Sequence, residues 1–187
     1  MAPGLPPDIA ANLAETLRRI DTARPDSAVS PPALVAVSKR QPDDRIDAAL
    51  AAGHRLFGEN RVQEAQQRWA RRRRDHDDLT LHLIGPLQTN KVADAVVLFD
   101  VIEVVDRPKL ARALSREMAR QDRRLACYIQ VNTGEESQKS GVLPDEADGF
   151  IAFCKAECEL DIRGLMCIPP QDEEPAMHFA LLRGIAA

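Results

Sequence analysis

The 187 residues contain no apolar run approaching the ~20 needed to span a bilayer as a helix, which argues against an integral membrane protein. Met1 to Asp8 hold three prolines and no apolar stretch, so the N-terminus does not read as a secretory signal. Aromatic residues make up only 4 % of the chain, too few for binding by base stacking. Positive charge is not in excess either: the formal net charge is −4, and nothing overall draws the chain to nucleic acid or to an anionic membrane. The one basic run, Arg71 to Arg74, leads straight into Asp75, Asp77 and Asp78 and reads as a solvated, self-compensated helix end. Cysteine is sparse. Cys127 lies in an apolar run, Cys154 and Cys158 are one helical turn apart, and Cys167 stands alone, a pattern of reduced thiols without the paired spacing of a zinc site. The expected setting is the cytoplasm.

What is present is an alternation of two patterns along a single domain, residues 1–187. Short apolar, β-branched runs occur at Ala33–Ser38, Arg55–Gly58, Leu81–Gly85, Asp100–Val105, Ala126–Asn132 and Asp161–Cys167. Such runs suit strands buried on both faces of a parallel sheet. Between them, Asp43–Ala52 sets Ile46, Ala49 and Leu50 on one side, and Arg107–Gln121 does the same with Leu110, Leu114 and Met118. Pro42, Pro108 and Pro144 stand at helix openings, and Gly53 ends the first of these helices. An additional helix is expected at Pro7–Ala23, and another begins at Glu174. The series is βαβ with right-handed crossovers. Periodicity alone leaves a doubly wound sheet and an eight-stranded barrel equally open. No GxGxxG follows the first strand and no GxxxxGK[ST] occurs anywhere, so the phosphate loops common in open sheets are missing.

Polar residues gather where these strands end: Ser38-Lys39, Glu59-Asn60, Gly85 to Lys91, Asp106 and Asn132. Ligands bind at that edge of parallel α/β folds. Among five lysines, Lys39 alone joins an apolar strand to this edge, in phase with Val35 and Val37. Two readings are open. A snorkelling lysine sends its ammonium to solvent; a desolvated one keeps a neutral amine for Schiff-base chemistry with an aldehyde. His82, in phase with Ile84, reads as a core or pocket-wall histidine, and Glu59 as a cap on the helix that follows. Asn132 fits a barrel-mouth hydrogen bond or a structural bridge equally well.

Val37-Ser-Lys39, Phe57-Gly-Glu-Asn60, Ile84-Gly-Pro-Leu-Gln-Thr-Asn-Lys91, Val131-Asn132, Lys139-Ser-Gly-Val142 and Gly164-Leu-Met-Cys-Ile-Pro169 follow one another in the chain. In that order they resemble the pyridoxal phosphate homeostasis protein family, a single-domain relative of the alanine racemase barrel, from about Ala33 to Ile185. The resemblance implies a (β/α)8 barrel. It further implies that Lys39 holds pyridoxal 5′-phosphate as a Schiff base, with Asn60 and Met166 approaching the cofactor; by its strand phase, His82 is a further candidate to line the site. The function implied is non-catalytic binding that buffers the cofactor or delivers it to the enzymes that use it. Family members continue into seventh and eighth strands that carry most phosphate-binding groups, whereas this sequence stops at Ala187. Without those two strands the barrel is expected to be open between its first and sixth strands, less stable, and a weaker cofactor binder.

The alternative is a racemase-like pyridoxal enzyme, which needs a second proton-transfer group opposite the lysine. The single tyrosine, Tyr128, shares a strand face with Gln130 and Asn132 but lies about 13 Å below the strand end at ~3.3 Å per residue, which disfavours that role.

Overall fold

A computed structural model describes residues 8–24 and 32–187; the proline-containing stretch Met1–Pro7 read above lies outside them. Helix α1 (Ile9–Ala23) begins at an Asp8 cap whose carboxylate accepts from the Ala11 amide at 2.9 Å. Six strands then alternate with helices: β1 (Ala36–Val37), α2 (Asp43–Ala51), β2 (Leu56–Glu59), α3 (Val62–Asp75), β3 (Thr80–Leu83), α4 (Val92–Leu98), β4 (Val101–Val105), α5 (Pro108–Arg120), β5 (Ala126–Gln130), α6 (Ala147–Ala156), β6 (Asp161–Met166) and α7 (Pro175–Ile185). Every apolar run identified in the sequence becomes a strand, although β1 keeps only two residues of its run.

All five pairings are parallel and the spatial order is β1-β2-β3-β4-β5-β6. A doubly wound sheet would reverse its winding and bury β1 in the middle. Here each strand adds outside the previous one, which is the winding of a barrel, and same-handed crossovers place the helices on one face of the sheet. β1 and β6 each have a single neighbour among the described residues.

The core lies between that face and the helices. Ile46, Ala49 and Leu50 from α2, Val62, Ala65 and Trp69 from α3, and Leu110, Ala111, Leu114 and Met118 from α5 are buried against Phe57, Leu81, Leu83, Ile102, Cys127 and Ile129 of the strands. Pro108 occupies the first turn of α5, where a missing amide costs nothing. Pro42 stands one residue before α2, and Pro144 opens a short 3-10 turn ahead of α6. Gly53 follows α2 at φ +86°, a left-handed backbone that glycine adopts without a Cβ clash.

The arginine run does not behave as a self-compensated helix end. Arg71 faces Asp75, but Arg72 reaches across to Asp47 at 2.7 Å and Arg73 to Asp100 at 2.7 Å. The last turn of α3 is thereby tied to α2 and to the start of β4. Local spacing could not show these partners, because they come from elements 25 or more residues away. Among the described residues, no helix is long and apolar enough to cross a membrane.

Candidate functional site at the strand ends

Lys39 follows β1 in a turn closed by the Gln41 amide donating to Ser38 O at 3.1 Å, with Arg40 at φ +60°. Its side chain is exposed and makes no hydrogen bond or ion pair among the described residues. The side chain is placed as in the snorkelling reading, exposed at the strand end. Lys39 stands past the last β1 residue, in a turn that carries it off the sheet, and Val37 of the same phase is itself 47 % exposed.

Asn60 follows β2 and is partly buried. Its Oδ1 is enclosed yet has no partner among the described residues. A buried acceptor left unmatched costs on the order of 1–3 kcal/mol, so it marks a place where a donor is wanted. Gly85, beyond β3, presses on the same residue: a Cβ there would stand 2.5 Å from Asn60 O and 2.6 Å from its Cα. Only glycine fits that approach.

The sheet face turned away from the helices carries the second group. His82 of β3 pairs in register with Gly58, and its Nδ1 lies 2.6 Å from Glu103 Oε1 of β4. That carboxylate partner holds the imidazole's orientation. Gly58 lets Ile84 and Val35 close over this face: a Cβ would stand 2.9 Å from Ile84 Cδ1 and 3.3 Å from Val35 Cγ1. Tyr128 lies over Gly164 of β6, and Met166 closes the end of β6, half-buried and in register with Gln130. Lys39, Asn60 and Met166 thus stand at the C-terminal ends of β1, β2 and β6, of which β1 and β6 are the two outer strands of the sheet, and His82 lies within β3.

Other strand-end residues prove structural. Asn132 donates to Glu136 O at 2.9 Å and shapes the loop after β5. Glu59 does not cap α3. Strand alternation turns it to the helix side, where it is fully buried and accepts from Ser38 Oγ at 2.8 Å, Arg68 Nη1 at 2.9 Å and Trp69 Nε1 at 3.0 Å, all on Oε1. Its Oε2 has no partner among the described residues. Sequence reasoning also missed Glu103, although a lone carboxylate in Val-Ile-Glu-Val-Val was its signal. Thr133 and His178, 45 positions apart, meet at 3.1 Å between the end of β5 and α7 with no local signal at all. Beside them the Cys167 thiol is pushed up by burial, and the Thr133 hydroxyl opposes that shift in part.

Chemically, the strand ends offer a primary amine open to solution and an unmatched buried acceptor. That set suits a carbonyl compound held by the amine.

The model of the alanine racemase N-terminal domain matches residues 11–184. Curated relatives include the pyridoxal phosphate homeostasis protein of Escherichia coli K12, 36 % identical over 182 residues, covering 96 % of this chain and 78 % of that one. The protein of the same name from Pseudomonas aeruginosa is 38 % identical over 180 residues, with 94 % and 76 % covered. Among solved structures, Synechococcus elongatus PipY with pyridoxal phosphate bound aligns at a TM-score of 0.78 and 36 % identity, over 95 % of this chain and 80 % of that one. An alanine racemase from E. faecalis aligns at a TM-score of 0.68 but 16 % identity, a likeness of fold alone.

Proposed function

Since the chain belongs to the alanine racemase N-terminal domain family and, within that fold, to the pyridoxal phosphate homeostasis proteins, we propose that it binds pyridoxal 5′-phosphate and takes part in its homeostasis without turning over a substrate. The observation that carries this reading is the position of Lys39: an amine at the C-terminal edge of β1, on a chain that shares 36 % of its residues with a pyridoxal-phosphate-bound relative.

When bound, the cofactor supplies an aldehyde that condenses with an amine to give a Schiff base and water. Lys39 is the residue assigned that amine. Asn60 and Met166, at the ends of β2 and β6, would help to hold the cofactor, and the unmatched Asn60 Oδ1 is the acceptor available there. His82, oriented by Glu103, forms the wall beneath. Tyr128 lies over Gly164, two residues before the end of β5, and no role in proton transfer is assigned to it.

The test is an absorbance spectrum with added pyridoxal phosphate, borohydride reduction and peptide mapping. A violet absorption band and a pyridoxyl label on Lys39, both lost in Lys39→Ala, are expected. A label spread evenly over the five lysines would overturn the assignment. A parallel assay of D-amino acid formation is expected to show none.

A further inference from the structure

We infer that Arg68, anchored by the buried carboxylate of Glu59, is a positioning residue for Lys39. The inference rests on Lys39 being the attachment point proposed above, and it concerns how the chain holds that lysine in place.

Lys39 has no direct partner among the described residues, so its position is set by the turn that bears it. That turn is bracketed by one guanidinium. Arg68 Nη1 donates to Ser38 O at 3.0 Å and Nη2 donates to Gln41 O at 3.2 Å, the carbonyls on either side of Lys39-Arg40. The bracket has a tense element to hold, because Arg40 sits in the left-handed region that a non-glycine residue seldom occupies. The guanidinium is fixed in turn from below. Glu59 is fully buried, accepts from Arg68 at 2.9 Å, and binds the same turn a second time through Ser38 Oγ. Trp69 Nε1 holds the same carboxylate oxygen at 3.0 Å. The Arg68 side chain is 17 % exposed, and Asp43 at the start of α2 adds a looser contact at 3.8 Å.

This arrangement exceeds what fold stability requires. A carboxylate sealed behind a sheet is a costly way to join a helix to a strand, and apolar residues of similar size commonly serve as well. What the ion pair supplies, and an apolar pair cannot, is a rigid planar fork that spans two carbonyls. Lysine at position 68 would keep the charge while losing the fork. It can reach one carbonyl and release the other.

The experiment compares the parent protein, R68K, and the double variant E59Q/R68M, which removes both charges together and serves if R68K fails to fold. A core variant remote from the turn, L114A, controls for lost stability alone. Each is incubated with subsaturating pyridoxal 5′-phosphate, reduced with borohydride and mapped. Amide exchange of residues 36–45 is followed in cofactor-free protein. In R68K and in E59Q/R68M, label on Lys39 is expected to fall about tenfold, the effect of losing one hydrogen bond to a charged group. Turn amides should exchange faster while those of α5 stay protected. L114A should keep its share of label on Lys39 despite a lower melting temperature. Unchanged labelling and exchange in both Arg68 variants, or an equal loss in L114A, would overturn the role given to Arg68 and leave the Lys39 assignment standing. A parent protein without label on Lys39 would overturn that assignment, and this inference with it.

Discussion

At the scale of single residues, the site depends on close backbone approaches as much as on functional groups. Gly85 is the clearest case, since the atoms a Cβ would meet are the backbone of Asn60 and cannot swing aside. Gly85→Ala is expected to cost about 1–3 kcal/mol in urea unfolding, and to lower pyridoxyl labelling of Lys39 by displacing Asn60. A second expectation concerns Trp69, the one tryptophan of the chain. Trp69→Phe keeps an aromatic ring, though a smaller one, and removes one of three donors to a buried carboxylate, so a loss of at least about 1–3 kcal/mol should appear in the same measurement. In the parent protein, Trp69 fluorescence should be blue-shifted and move to the red as the Glu59 cluster opens. The residue types at the strand ends were readable in the sequence, Lys39 and Asn60 among them. Their partners were not. Glu59 and Arg68 are nine positions apart and meet only because a strand and the helix after it pack face to face.

Among the elements, α7 is attached slenderly. Its one buried residue is His178, which joins Thr133 beyond β5 and Glu173 ahead of its own helix, while Met177 and Phe179 face outward. His178→Ala should free α7 at a cost of about 1–3 kcal/mol. Hydrogen exchange provides the check: amides of Pro175–Ile185 should lose protection while those of β3, β4 and β5 keep theirs. Loss of protection throughout the sheet would show that α7 belongs to the global unfolding unit instead. The helices themselves were legible because their signals are local: an apolar stripe, a proline at the opening, Gly53 beyond the end. Strand β1 was less so. Its run, Ala33–Ser38, is apolar throughout, yet only Ala36 and Val37 pair as a strand, because pairing depends on what β2 presents alongside.

For the molecule as a whole, two thiols report on the core. Cys127 on β5 is pushed up to about 12 by burial first, then by Cys154 and Asp161, and Cys154 on α6 likewise to about 12 by burial and Cys158. A thiol with a raised folded-state value stays protonated in the native protein while the unfolded chain ionises. The unfolded state then binds fewer protons, and stability falls with rising pH. From pH 9, the ordinary thiol value, toward 12, the unfolding free energy from urea titrations should decline, by at most about 1.4 kcal/mol per pH unit for each thiol. Cys127→Ala should flatten that slope. An unchanged slope in this variant would assign the decline to other groups.

The βαβ series, the position of Lys39 at a ligand-bearing edge and the apolar faces of α2 and α5 follow from spacing along the chain, because each depends on neighbours a few residues apart. Barrel-type winding was open on periodicity, and the order β1 to β6 resolved it, since winding is a relation between strands and not within them. The exposure of Lys39, the turn of Glu59 toward the helices, and the joining of Arg68 to Ser38 and Gln41 likewise came from packing. A polar side chain finds its partners through the fold's long-range contacts, and no local pattern encodes those.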